Sequence, residues 1–159
     1  MTEVLNFSGI TPSHILALNA PQGSSSTSKY TLYPIHSAVF AANCSKFPIL
    51  PPAPASPTSN TFKLPTVCLT VPSPENFGFL SSYIYNKDLE TLRSLILPNN
   101  WATDVSVVVQ KALAVRGLWA NACALGVVED ELFDALEQIW EQVMQAMTQL
   151  TAPVSSSLS

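Results

Sequence analysis

The residues of this 159-residue chain best suited to nucleophilic or metal chemistry are two histidines and three cysteines: His14, His36, Cys44, Cys68 and Cys123. His36 and Cys44 could form a base and a thiolate nucleophile, since a nearby imidazole favours the deprotonated thiol. With Cys68 they could instead ligate zinc. No C-x-x-C and no H-E-x-x-H supports the metal. The simpler reading makes His36 a hydrogen-bonded residue at a strand–helix junction and Cys44 a small core residue, as free cysteine commonly is. Glu129, Asp130 and Glu131 could be taken for a general-acid or cation site. Adjacent residues on a helix point in different directions, so capping of a helix N-terminus explains them better. The five glycines are scattered and make no phosphate loop, and there is no G-x-S-x-G elbow. No catalytic residue, metal ligand or cofactor follows from these spacings.

Composition narrows the classes further. Apolar residues make up 47% of the chain and charged residues 11%, against about 25% charged in an average soluble domain. Such a chain folds rather than remaining disordered. Seven bases against eleven acids leave no electrostatic footprint for DNA or RNA. No apolar run approaches the ~20 residues of a membrane-spanning helix. The first residues carry an acid and no base, a poor secretory signal. Three widely separated cysteines do not make a disulfide framework. An intracellular protein, nuclear or cytoplasmic, with reduced thiols is expected.

Proline and charge divide the chain. Nine prolines fall between Pro34 and Pro74 and none from Asn99 to Ala152, so long helices belong in the second half. Two short strands, around residues 14–18 and 30–33, flank a polar loop and read as an antiparallel hairpin. Residues 37–46 fit a short buried helix stopped by Pro48, and residues 65–71 a β-branched strand. Ser73, Pro74 and Glu75 have the order of a helix start, after which Phe77, Leu80, Tyr83 and Ile84 share a face. A short helix holds Leu89, Leu92, Leu95 and Ile96. Thr103 is the expected cap of a helix running to Leu125 and ended by Gly126. Val105, Val108, Val109, Leu113, Leu118, Trp119 and Cys123 surround it, which predicts a largely buried helix with Ser106, Gln110 and Asn121 as its polar strip. The last helix, from near Val128, puts Leu132, Leu136, Ile139, Val143 and Met147 in one arc, opposite Asp134, Glu137 and Glu141. Trp101, Trp119 and Trp140 are expected in the core.

The order of these segments resembles the BTB/POZ pattern. His36, Phe40, Ala41, Ala42, Ser45 and Phe47 match its first helical run, and Phe77, Leu80, Tyr83, Ile84 and Tyr85 match a later helix. More narrowly, L-Y-P-I-H-S-A-V-F-A-A-N-C-S-K-F-P and the stretch from Gly117 to Leu136 resemble the clampless-type proteins of mushroom-forming fungi, regulators of clamp-cell formation and sexual development. The resemblance covers about residues 14–148. It implies an α+β, BTB-like domain over residues 1–150, with a small, mainly N-terminal sheet and two long C-terminal helices. The matched positions would mostly be core. Mobile loops are expected at about residues 20–28 and 50–62, and a disordered tail at 151–159.

The implied function is that of a non-enzymatic protein-interaction domain without cofactor, with protein partners and no direct contact with nucleic acid or membrane. The alternative is a small enzyme or ligand carrier with a pocket between the sheet and the long helices near His36. Residues 4–74 carry only three charges, Lys29, Lys46 and Lys63, so a weakly hydrated first half should support self-association as a two-fold homodimer.

Overall fold

A computed structural model of the chain describes residues 11–21, 29–53 and 63–153. Three strands come first: β1 (His14–Asn19), β2 (Thr31–Ile35) and β3 (Thr66–Thr70), with helix α1 (Ser37–Asn43) between the last two. Four more helices follow a 3-10 turn at Pro74–Asn76: α2 (Phe77–Asn86), α3 (Leu89–Ile96), α4 (Val105–Leu125) and α5 (Asp130–Thr151). The fold is α+β, a small three-stranded sheet with five helices among the described residues.

The sheet order is β2-β1-β3. β1 pairs antiparallel with β2, Leu16 opposite Tyr33, and parallel with β3, Leu16 opposite Val67. As the central strand β1 buries Leu16, Ala17 and Leu18 in succession, the continuous apolar run of a strand covered on both faces. Pro34 lies in β2, an edge strand, where a missing backbone donor is tolerated. β3 alternates, with Thr66, Cys68 and Thr70 exposed and Val67 and Leu69 turned inward.

One apolar cluster joins the sheet to the helices. It includes Leu16, Leu18 and Ile35 from the strands, Phe40 from α1, Phe77, Leu80, Tyr83 and Ile84 from α2, and Leu118, Leu132 and Leu136 from the long pair. Phe40 lies parallel to Phe77, with ring centroids 6.0 Å apart, and is edge-on to Tyr85. The first half is also stitched to the α4–α5 turn through its backbone. Ser45 N donates to Gly126 O at 2.8 Å, Lys46 N to Leu125 O at 3.0 Å, and Cys44 forms an antiparallel bridge with Val127. Gly126 sits at φ +66 and closes α4 as expected.

Several expectations need correction. Helix α1 ends at Asn43 and fully buries only Phe40; Ala41, Ala42 and Ser45 are exposed, so half of that matched run faces solvent. Asp104, not Thr103, caps α4, its Oδ1 accepting from Val107 N at 3.0 Å. A carboxylate next to the first turn satisfies the same orphan donors and adds a favourable charge for the helix dipole. α4 is not buried on most of its circumference: Val105, Val109, Leu113, Trp119 and Cys123 are exposed, while Asn121 is fully buried. Its core stripe is Val108, Val115, Leu118, Ala122 and Leu125, a spacing of sevens, threes and fours. Thr151 is helical and so belongs to α5 rather than to a tail. Residues 50–53 are described and lie against His14 and Phe47, around a hollow they share with α1. The rest of the expected 50–62 loop up to residue 62, most of the 20–28 loop, and residues 154–159 lie outside the described residues.

Candidate functional site

His14 and His36 hold structural positions. His14 is 2% exposed, and its Nε2 lies 2.6 Å from Pro51 O, which can only accept. Nε2 therefore donates to that carbonyl, and Nδ1 lies 2.9 Å from the Ser13 hydroxyl. His36 stands at the N-cap of α1, as the junction reading required. The Tyr85 hydroxyl accepts from its backbone N–H at 2.9 Å and lies 3.0 Å from its Nδ1. Burial raises the Tyr85 hydroxyl above its usual range, and the His36 amide offsets part of that. Among the described residues no group of three or more His, Cys, Asp or Glu is placed to hold a metal. A hollow of about 230 Å³ beside Tyr85 is lined by Tyr33, Ser81, Ser82 and Asn86 and by no charged side chain.

Cys44 is 3% exposed, whereas Cys68 and Cys123 are exposed. Burial pushes the Cys44 thiol up to about 11, with nearby Lys87 opposing and Glu129 adding to the shift. An aromatic disulfide reagent at neutral pH is expected to react promptly with two thiols, and with the third only in denaturant. Prompt reaction of all three would contradict the burial of Cys44.

The expected capping by Glu129 does not occur. Glu129 occupies the N-cap position of α5, yet its carboxylate makes no cap hydrogen bond. It accepts instead from the Tyr83 hydroxyl and forms an ion pair with Lys87, whose ammonium also donates to Asn43. Lys87 ends α2 in the left-handed conformation, φ 55, a position where glycine is usual. Its side chain thereby ties together the ends of α1 and α2 and the start of α5. Burial alone would raise the Glu129 carboxyl, but the Lys87 and Tyr83 hydrogen bonds and the Lys87 charge outweigh it and hold it below its usual range. A depressed carboxylate stabilises the fold above its unfolded pKa of about 4.3, and that contribution is lost as pH falls through the folded value. Glu129→Gln should therefore flatten the acid limb of the stability profile below about pH 5. An unchanged acid limb in denaturant titrations across that range would refute the assignment.

An apolar recess lies elsewhere, between α4 and α5. It is a cleft of about 750 Å³ lined by Val115, Arg116, Trp119, Ala120, Glu137 and Trp140. Both tryptophans are 38% exposed, which corrects their expected place in the core. Trp119 is held edge-on against Phe133, centroids 5.3 Å apart. Val105, Val109 and Trp119 fall along one side of α4 and extend the apolar surface past the cleft. Arg116 and Glu137 share the recess with neither an ion pair nor a hydrogen bond between them. Partly exposed indoles beside an apolar recess are what a docking helix would cover. The sequence did not mark this side: apolar residues surround α4, and Asn121, expected on its polar strip, is buried instead.

No helix of the described residues is long and apolar enough to cross a membrane. No curated protein and no solved structure matches the chain. Two family models do: the Clampless protein 1 N-terminal domain over residues 2–72 and the Clampless protein 1 C-terminal domain over residues 86–159. Helix α2 falls largely in the gap between them, yet it supplies Phe77, Leu80, Tyr83 and Ile84 to the common core. With both matches in their expected order and together spanning most of its length, the chain belongs to the clampless protein family.

Proposed function

We propose that this protein is a non-catalytic regulator of clamp-cell formation and sexual development in mushroom-forming fungi, acting through protein contacts in the nucleus or cytoplasm. Family membership supports the developmental role. The α4–α5 cleft, with Trp119 and Trp140 half exposed, is the observation that supports action by docking. The frame is BTB/POZ-like: hairpin, helix, strand and helix follow in the order which that resemblance implied. Phe40, Phe77, Leu80, Tyr83 and Ile84, five of its matched positions, are buried.

The test is genetic. A strain lacking the gene is complemented with the wild-type chain or with Trp119→Ser/Trp140→Ser, after circular dichroism shows that the variant folds. Wild type should restore clamp cells and the variant should not. Clamp formation at the wild-type frequency with the folded, equally abundant variant would overturn docking through this cleft.

A further inference from the structure

Charge is split between the two walls of the cleft. α4 carries Lys111 and Arg116 and no acid, whereas α5 carries Asp130, Glu131, Asp134, Glu137 and Glu141 and no base. The hairpin is thus basic on one helix and acidic on the other. Arg116 and Glu137 face the same recess without bonding each other.

From this we infer that the occupant of the cleft is a second copy of the chain, seated by a two-fold axis running along the groove between α4 and α5. The inference rests on the reading of the cleft as a docking surface. Rotation about such an axis keeps every residue at its level along the groove and exchanges the two walls. Each α4 then lies over the partner's α5, antiparallel to it, and Arg116 comes opposite the Glu137 of the other copy. A two-fold axis across the groove would instead put like helices and like charges together, which is repulsive. The self-complementary arrangement is the isologous one, in which a single patch supplies both sides of the contact. Trp119 and Trp140 would be enclosed at the centre, the usual place of energetically dominant aromatics. The product is a four-helix bundle made from two helical hairpins.

Its extent sets the expected strength. Helices of 21 and 22 residues run about 30 Å, and two side by side present a face of about 600 Å² per copy. That is slightly below the roughly 800 Å² per partner of a standard interface, so the dimer should dissociate on dilution. Val105, Val109, Trp119 and Trp140 supply exposed apolar surface on the C-terminal hairpin, and on this proposal self-association lies there rather than in the first half, where composition suggested it.

Sedimentation equilibrium of the full chain across a dilution series, at low and high salt, tests the geometry. Wild type should move from dimer to monomer on dilution, and at lower dilution in high salt. Arg116→Glu and Glu137→Arg should each weaken dimerisation at least tenfold, while the double variant returns to within about threefold of wild type. A constant monomer mass for wild type overturns the proposal. So does a dimer that the single variants leave intact, or one that the double variant fails to restore. The two readings fail separately. Monomeric wild type together with loss of clamp cells in the tryptophan variant would mean that the cleft docks a different protein. A charge-swappable dimer alongside normal clamp cells in that variant would remove the cleft from the developmental role and leave the dimer standing.

Discussion

Replacing Asn121 by leucine is expected to destabilise the protein by about 2–4 kcal/mol, although leucine has the same number of side-chain heavy atoms and is more apolar. Asn121 is fully buried, and its amide engages one backbone unit twice. Its Oδ1 accepts from Ser73 N at 2.9 Å, and its Nδ2 donates to Ser73 O at 2.7 Å. Ser73 is itself 5% exposed, so water cannot replace either bond. Leucine would leave a buried donor and a buried acceptor unpaired, each costing about 1–3 kcal/mol, partly offset by its own apolar burial. The site has no slack for rearrangement. One turn earlier, a Cβ on Gly117 would come within 2.4 Å of Ser73 Oγ and 2.7 Å of Asn76 Nδ2. Equilibrium denaturation reads the loss directly. A change below about 0.5 kcal/mol would mean that Asn121 does not hold the segment leading into α2.

A still larger loss is expected for Val143→Asp. Val143 is fully buried in the α5 face that also holds Leu132, Leu136 and Ile139. α5 itself carries no base that could pair with an aspartate there. The carboxylate must either be buried charged or take up a proton, and either outcome puts the substitution among the severe ones, about 4 kcal/mol or more. Glu141→Lys, two residues away on the exposed side, should stay within about 0.5 kcal/mol. Thermal melts of the two variants compare the faces, and similar shifts would contradict the orientation of α5.

The sequence carried local features well and relations between segments poorly. α2, α3, the Gly126 stop and the buried arc of α5 depend on residues within a few positions of each other, and periodicity with capping chemistry exposes them. The parallel pairing of β3 with β1 joins segments about fifty residues apart, and no short-range pattern encodes it. The packing side of α4 was hidden for a different reason. Apolar residues on nearly every side make all orientations look alike, and only contact with Ser73 selects one. Glu129 illustrates a third case. An acid at a helix start satisfies the capping rule, yet Tyr83 and Lys87, distant in sequence, compete for its carboxylate and win. The candidate site was not legible: the sequence placed Trp119 and Trp140 in the core, and their part exposure depends on packing between α4 and α5 that no local pattern encodes.

The backbone clasp between residues 44–46 and 125–127 also bears on how the protein is made. Ser45 and Gly126 are 81 positions apart. At about 5–20 residues per second, the ribosome needs roughly 4–16 s to supply that partner. Until then the emerging chain lacks α5, which supplies Leu132, Leu136, Ile139 and Val143 to the common core. A nascent chain in that condition is a natural client for chaperones. An allele truncated before codon 126 cannot close the clasp at all, and should be cleared by proteolysis rather than persist as a functional N-terminal fragment.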